Sequence, residues 1–372
     1  MSKLTIRNLY RTYANHQVAL KDFKLEVKNG ELVALVGPSE SGKSVLLRII
    51  AGLEPSTDGA IWFDEQLMNE TDAKARQVAM VFQNYMLYPE MNVFDNLAFG
   101  LKLLKYPPSK IKNQVNEIAQ KLDMVDMLVK MPSELQPVEY FKVVLVRALV
   151  KEPRILLLDD PIAQLPKECQ KDALKELHTL QRIMKVTTVF ATECSEEAFE
   201  IGDRVAVMKE GELLQIGTPR EILDMPMSMS VAGAMMKPIM SFAEIEIREK
   251  GNHLETTFFG EPHDVEEEIE QVLRKKGYVD KKVILGIRPD DLVVFPLKDK
   301  EKEGQVGTSE VKYVKEYNGN QYAHFDYNGA AFAGRIEEGS ELLPEDKIVI
   351  CYKNKVPLLF NKDTGDAILY ER

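Results

Sequence analysis

Eight residues near the start of the chain, Gly37-Pro38-Ser39-Glu40-Ser41-Gly42-Lys43-Ser44, have the types and spacing of a phosphate cradle. The apolar run Glu31 to Val36 precedes them and the helical pattern Val45 to Leu53 follows. In that context the spacing implies a mechanism. Loop N–H groups and the start of the helix wrap the phosphates of a nucleoside triphosphate, Lys43 reaches the outer ones, and the Ser44 hydroxyl binds Mg²⁺. A second run, Ile155-Leu156-Leu157-Leu158-Asp159, reads as a buried strand ending in a carboxylate. Placed opposite Ser44, Asp159 would hold the Mg²⁺ water shell. An apolar strand ending in Asp is common by itself; beside the glycine-rich loop it becomes specific.

These groups need a rigid frame, and the surrounding pattern supplies one. Short apolar runs alternate with helical stretches: Ile155 to Asp159, then Cys169 to Met184, then Thr187 to Ala191. Such alternation predicts a mostly parallel sheet covered on both faces. From Asn92 to Leu149 the reading turns helical, with apolar residues at helical spacing over Ile111 to Leu122, which points to a helical insertion at about 86–152. The Met-rich stretch Met225 to Met240, with Pro226 and Pro238, reads as adaptable packing and as a boundary between domains at 1–235 and 236–372. Beyond it the pattern becomes period-two strands with Asn-Gly turns at Asn318-Gly319 and Asn328-Gly329. Ala323, Phe325 and Tyr327 face one way, His324 and Asp326 the other. A small all-β barrel is expected there. Asp264 to Lys275, with Val265, Ile269, Val272 and Leu273 on one face, reads as an amphipathic helix.

Bulk composition narrows the partners. Lys+Arg 48 against Asp+Glu 59 gives a net charge of -11, which repels a phosphate backbone, so nucleic acid is excluded as the main partner. At 372 residues two or more domains are expected. The start, MSKLTIRNLY, carries no apolar signal region, and no apolar run approaches the ~18 residues that span a bilayer, so a soluble chain inside the cell is expected. Cys169, Cys194 and Cys351 show neither paired nor metal-ligand spacing and read as small core residues.

With the phosphate loop in place, the chain resembles the ATPase subunits of ABC transporters, and more narrowly those of carbohydrate importers of the maltose type. Val81-Phe82-Gln83-Asn84-Tyr85 with Leu87-Tyr88-Pro89 matches the family's Q-loop, followed by Asn92-Val93-Phe94-Asp95-Asn96-Leu97. The resemblance implies that Gln83 senses Mg²⁺ and the attacking water, and that the Gln83–Pro89 region docks on membrane subunits. Tyr13 stands where the family stacks an aromatic ring on adenine, although ordinary packing explains it equally. Leu285-Gly286-Ile287-Arg288-Pro289-Asp290 and Asp363-Thr364-Gly365-Asp366-Ala367-Ile368 match the subfamily's regulatory module. The implied fold is an α/β P-loop NTPase domain of ABC type with a helical subdomain, followed by an all-β OB-like regulatory domain. The implied cofactors are ATP and Mg²⁺, and the implied location is the inner face of the cell membrane.

Four departures from the family pattern matter. Two family subunits sandwich each ATP, one offering the phosphate loop and the other a Leu-Ser-Gly-Gly-Gln signature; here that stretch reads Leu135-Gln136-Pro137-Val138-Glu139. Pro137 has no N–H to give, Val138 adds a side chain where backbone must approach phosphate, and Glu139 sets a negative charge near an anion. After Asp159 the family carries a catalytic glutamate, whereas Asp160 holds its carboxylate one methylene back, in chemistry where ~1 Å can cost ~10²-fold. Ala163-Gln164-Leu165-Pro166 lacks the inter-subunit aspartate, and Glu193 replaces the switch histidine. Glu40 also replaces a loop glycine, but G-protein alpha subunits carry the same Glu-Ser-Gly-Lys-Ser and bind nucleotide. The leading expectation is a subunit that binds Mg-ATP, hydrolyses it poorly or not at all, and pairs with a second, different and competent ATPase. Two alternatives are an active importer ATPase with Asp160 as base, and an ATP-gated scaffold or sensor outside transport.

Overall fold

A computed structural model describes residues 2–234, 238–297, 304–317, 319–353 and 357–370. The chain divides into two compact units, Met1–Pro219 and Arg220–Arg372.

The first unit is built on two sheets. β1 (Leu4–Thr12) and β2 (Val18–Val27) pair antiparallel, and β4 (Asp58–Phe63) and β5 (Gln66–Leu67) extend them in the order β2-β1-β4-β5. The second sheet has the order β10-β9-β3-β8-β7-β6, with β3 at Leu32–Val36, β6 at Val78–Val81, β7 at Ile155–Asp159, β8 at Thr187–Thr192, β9 at Arg204–Lys209 and β10 at Glu212–Gly217. Its pairs are parallel except β9 with β10. β3, β7 and β8 are buried along their whole length, as strands covered on both faces must be. Helix α1 (Lys43–Ala51) lies in the core shared by the two sheets: its Leu46, Leu47 and Ile50 are buried with Leu4, Ile6 and Phe23 on one side and Val33, Leu35 and Leu157 on the other. The expected parallel sheet is present, and the antiparallel sheet that helps cover it was not read from the sequence. The helical stretch comprises α2 (Val93–Leu103), α3 (Pro108–Lys121) and α4 (Pro137–Leu149). Helices α5 (Lys167–Met184) and α6 (Ser195–Ile201) complete the unit.

The second unit opens with the short helices α7 (Pro219–Asp224) and α8 (Met229–Ala234), so most of the Met-rich stretch packs within it; Met235 and Met236 lie outside the described residues. A five-stranded sheet follows, built from β11 (Ser241–Lys250), β12 (His253–Phe258), β13 (Glu261–Asp264), β14 (Lys281–Ile287) and β20 (Leu358–Asn361), in the order β13-β12-β11-β14-β20. A closed barrel has the order β15-β18-β17-β16-β19, with β15 at Leu292–Pro296, β16 at Gln305–Tyr317, β17 at Asn320–Tyr327, β18 at Ala330–Ile336 and β19 at Lys347–Tyr352. The alternation in β17 matches expectation, with Ala323 and Phe325 buried and Asp326 exposed. Asn328 and Gly329 both take positive φ, 48° and 80°, as a tight hairpin turn demands. The turn expected at Asn318-Gly319 lies partly outside the described residues.

Two expectations are corrected. The helix α9 runs over Glu267–Lys275 and not from Asp264, because Glu261–Asp264 pairs with β12 across a turn at Phe259 and Gly260, whose φ values are 50° and 85°. Cys351 is a core residue, but Cys169 and Cys194 are only half-buried. The ends of the second unit meet: Met229 N donates to Gly365 O at 2.8 Å, Ala367 N donates to Met227 O at 3.0 Å, and Ser228 bridges Asp366.

Candidate nucleotide site

The parallel strands β3, β7 and β8 end side by side, and the residues singled out in the sequence sit just past those ends. Gly37 follows β3, and a Cβ there would lie 2.2 Å from the Met208 carbonyl oxygen, so no other residue fits without shifting the backbone. Gly42 takes φ 99°, and its Cβ would come 2.6 Å from the Ala19 oxygen. Glu40 takes φ 64°, a left-handed conformation that disfavours a side chain and accounts for the glycine it replaces. Helix α1 has no acidic residue in its first turn and no side-chain cap, so its N-terminal amides remain available to an anion.

Lys43 is 7% exposed, and its Nζ donates to Gly37 O at 2.7 Å, Pro38 O at 2.8 Å and Ser41 Oγ at 3.2 Å. Burial holds its pKa below the usual lysine value, against the opposing pull of Glu193, Asp160 and Asp159. Ser44 Oγ donates to Asp159 Oδ1 at 2.7 Å, which places the two residues read as Mg²⁺ partners in contact. Asp160 N donates to Ala191 O at 2.8 Å, and Gln83 Nε2 donates to Asp160 Oδ2 at 3.2 Å. Burial, then the charge of Glu193, pushes the Asp160 carboxyl up from its ordinary value. Ser39 Oγ donates to Glu193 Oε1 at 2.5 Å, so the carboxylate at the switch position leans on the phosphate loop itself. Tyr13 stands under the Arg11 guanidinium, 4.7 Å from ring centroid to Cζ, and lines the same cavity of about 280 Å³ as Lys43, Ser44, Gln83, Asp159, Asp160 and Glu193.

Fit to Mg²⁺ follows from the donor set. Ser44 and Asp159 offer hard oxygen atoms, and among the described residues no group of three or more His, Cys, Asp or Glu could hold a metal unaided. Such a pair suits an ion that completes its shell with phosphate oxygens and water. The Ser39 to Glu193 contact and the lining by Gln17, Val18 and Ala19 were not read from the sequence.

The stretch Leu135 to Glu139 is not part of this cavity. Pro137 is the first residue of α4, Gln136 caps it in an extended conformation, and Glu139 lies in its first turn. The Glu139 carboxylate accepts from Gln136 N at 2.9 Å and pairs with Lys130 Nζ at 3.2 Å. The Gln136 amide, then Lys130, hold its pKa below the usual glutamate value, so it stays charged.

The family model for ABC transporters matches residues 20–163, which contain the loop, Gln83 and Asp159. The trehalose/maltose import ATP-binding protein of Thermococcus litoralis is 36% identical over 363 residues, 94% of this chain and 95% of that protein. The chain belongs to the ATP-binding proteins of ABC transporters. The oligosaccharides import ATP-binding protein of Bacillus subtilis is 32% identical over 369 residues, 98% of this chain and 99% of that one. Among solved structures, a Clostridium perfringens protein that is part of an ABC transporter complex has TM-score 0.55 and 28% identity, covering 59% of this chain and 89% of its own.

In this ABC protein the segment after Gln83 is fixed by α2. Asn96 is fully buried; its Oδ1 accepts from Tyr88 N at 2.8 Å and its Nδ2 donates to Met91 O at 2.8 Å. The Tyr88 ring lies 4.5 Å from that of Phe99, with the Arg147 guanidinium 5.5 Å from its centroid. A groove of about 410 Å³ results, and Phe82, Met86 and Leu103 stand exposed at its edge. Among the described residues no helix is long and apolar enough to cross a membrane.

Proposed function

We propose that this chain is the ATP-binding subunit of an importer, most simply for carbohydrate, that binds Mg-ATP at residues 37–44 but hydrolyses it poorly or not at all. One observation carries the reading: Glu193 accepts a hydrogen bond from Ser39 of the phosphate loop, which sets an anion where the family presents a histidine to the terminal phosphate. A triphosphate arriving at Lys43 meets that charge as well as Asp160. Lys43, the loop amides and Tyr13 would hold the nucleotide, and Ser44 with Asp159 would hold Mg²⁺, which would supply positive charge to offset that of the phosphates. Gln83 and Asp160 stand over the same cavity, and Asp160 has the shorter reach.

The carbohydrate assignment rests on relatives named for trehalose/maltose and for oligosaccharide import. A membrane subunit, engaged from the cytoplasmic side, suits the apolar-edged groove beside Gln83–Pro89. Pairing with a different, competent ATPase fits the altered signature. In such a pair this chain's loop meets an intact signature, while the partner's loop meets Leu135 to Glu139. The test is direct: the purified chain binds Mg-ATP saturably and releases phosphate at under about 1% of the rate of an intact relative. Brisk, contaminant-free turnover overturns the reading.

A second reading, an active ATPase with Asp160 as general base, has one observation in its favour. The raised pKa of Asp160 and its contact with Gln83 suit a residue that takes a proton. Loss of all residual turnover in D160N, with ATP binding intact, would support it.

A further inference from the structure

The turn between α2 and α3 displays charge and apolar surface that nucleotide binding does not use. From Asn96 to Asn116 the sequence has four lysines, Lys102, Lys105, Lys110 and Lys112, and no acidic residue, in a chain whose net charge is -11. Lys102 pairs with Asp95 at 2.8 Å, and Lys110 Nζ lies 4.1 Å from the centroid of the Tyr106 ring. Lys105, Lys110 and Lys112 are exposed and make no ion pair among the described residues. Beside them Leu103 and Leu104 are 69% and 55% exposed. Main-chain bonds fix this corner: Tyr106 N donates to Leu101 O at 3.2 Å and Lys105 N to Lys102 O at 2.9 Å, while Lys105 takes φ 58°, so α2 closes in the way usual for glycine. The leucines are thus held out beside three uncompensated cations.

We propose that this corner rests on an anionic lipid surface, with its lysines on headgroup phosphates and its two leucines at the boundary with the acyl chains. Apolar area and positive charge add together at such a surface, and this turn offers both within a dozen residues. Leu103 borders the groove beside Gln83–Pro89, whereas Leu104 is not among the residues that line it. The display is the tip of a turn and not a cleft, which suits a fluid surface better than a peptide. The chain as a whole is acidic and is repelled by the same lipids, so contact is weak, sensitive to salt and made in one orientation.

The test is cosedimentation of the full chain with vesicles of phosphatidylcholine, either pure or containing about one-third phosphatidylglycerol. At about 50 mM salt the anionic vesicles are expected to bind at least about tenfold more tightly, and about 0.5 M salt should remove most of that binding. K105E/K110E/K112E should lower binding by more than about tenfold, each lysine near such a surface being worth about fivefold. K275E/K281E/K347E makes the same change of charge at exposed positions of the second unit and should lower it by less than about threefold. L104S should weaken binding several-fold with Mg-ATP affinity intact. Equal binding to the two kinds of vesicle, or equal losses in the two triple variants, would overturn the proposal. Undiminished binding of L104S, with soluble polyglutamate bound as tightly as vesicles, would assign the corner to an acidic protein partner and overturn it as well. The wild-type comparison of lipids and salt decides the matter even if a variant fails to fold. Vesicles hold no protein and no nucleotide, so failure here leaves the readings of the groove and of the ATP site standing.

Discussion

The chain begins two of its helices in opposite ways: α1 starts with no carboxylate of its own, whereas α4 starts with one. At α1 the cap is Gly42, the first turn has no acid, and Lys43 adds a cation. At α4 the first residue, Pro137, has no N–H, and Glu139 folds back onto the Gln136 amide while pairing with Lys130. The start of α1 carries a cation and no such group, whereas the carboxylate of Glu139 stabilises the start of α4. Only the first leaves its positive end free for a ligand. At α4 a carboxylate supplied by the helix itself meets part of the need that an anion would meet at α1.

The largest expected effect tests the open end. K43A removes the cation and its hydrogen bonds from the cradle, and Mg-ATP affinity by calorimetry should fall about 10²-fold, as expected from losing one or two charge-assisted bonds. Next comes the closed end. E139A strips the carboxylate from the first turn of α4 and should cost about 1 kcal/mol, read as a lower melting temperature with ATP affinity unchanged. A drop in ATP affinity of the isolated chain would place this stretch in its own site and break the comparison. E193Q should then raise Mg-ATP affinity several-fold by removing a charge at Ser39, with a larger gain at low salt.

The smallest effect concerns Asp160, whose folded pKa lies above its unfolded value because of burial and the charge of Glu193. Its ionisation therefore costs stability at neutral pH, and that cost shrinks once pH falls below the folded pKa and is gone below the unfolded one. D160N should raise the melting temperature at pH 7 by a few degrees, with the gain shrinking as pH falls into the carboxylate range. A gain independent of pH would point to packing instead of charge.

The phosphate loop and Asp159 were legible because their chemistry is local: glycines that backbone contacts require, a lysine at a helix start and a carboxylate at a strand end. Alternation of short apolar runs with helical patterns was likewise enough for the parallel sheet. Less legible was the antiparallel sheet of β1, β2, β4 and β5, whose strands pair across register shifts and lack a simple alternation. The contact between Ser39 and Glu193 joins positions 154 apart and leaves no local pattern to read. Glu139 was read as a charge facing phosphate, yet a proline followed two residues later by glutamate is also the pattern of a helix start capping itself, and that signal was available. Helix α9 started later than expected because hairpin pairing of β13 outcompeted the apolar stripe that Val265 seemed to extend.

The stitching of residues 227–229 to residues 365–367 has a mechanical consequence. A pull on the tail of the polypeptide is borne first at Ile368, whose N donates to Leu359 O and whose O accepts from Lys276 Nζ, and next by the few main-chain bonds to residues 227–229. Clipping the final segment should thus loosen the point of entry as well as the end, so that a short C-terminal deletion acts at a position some 140 residues upstream.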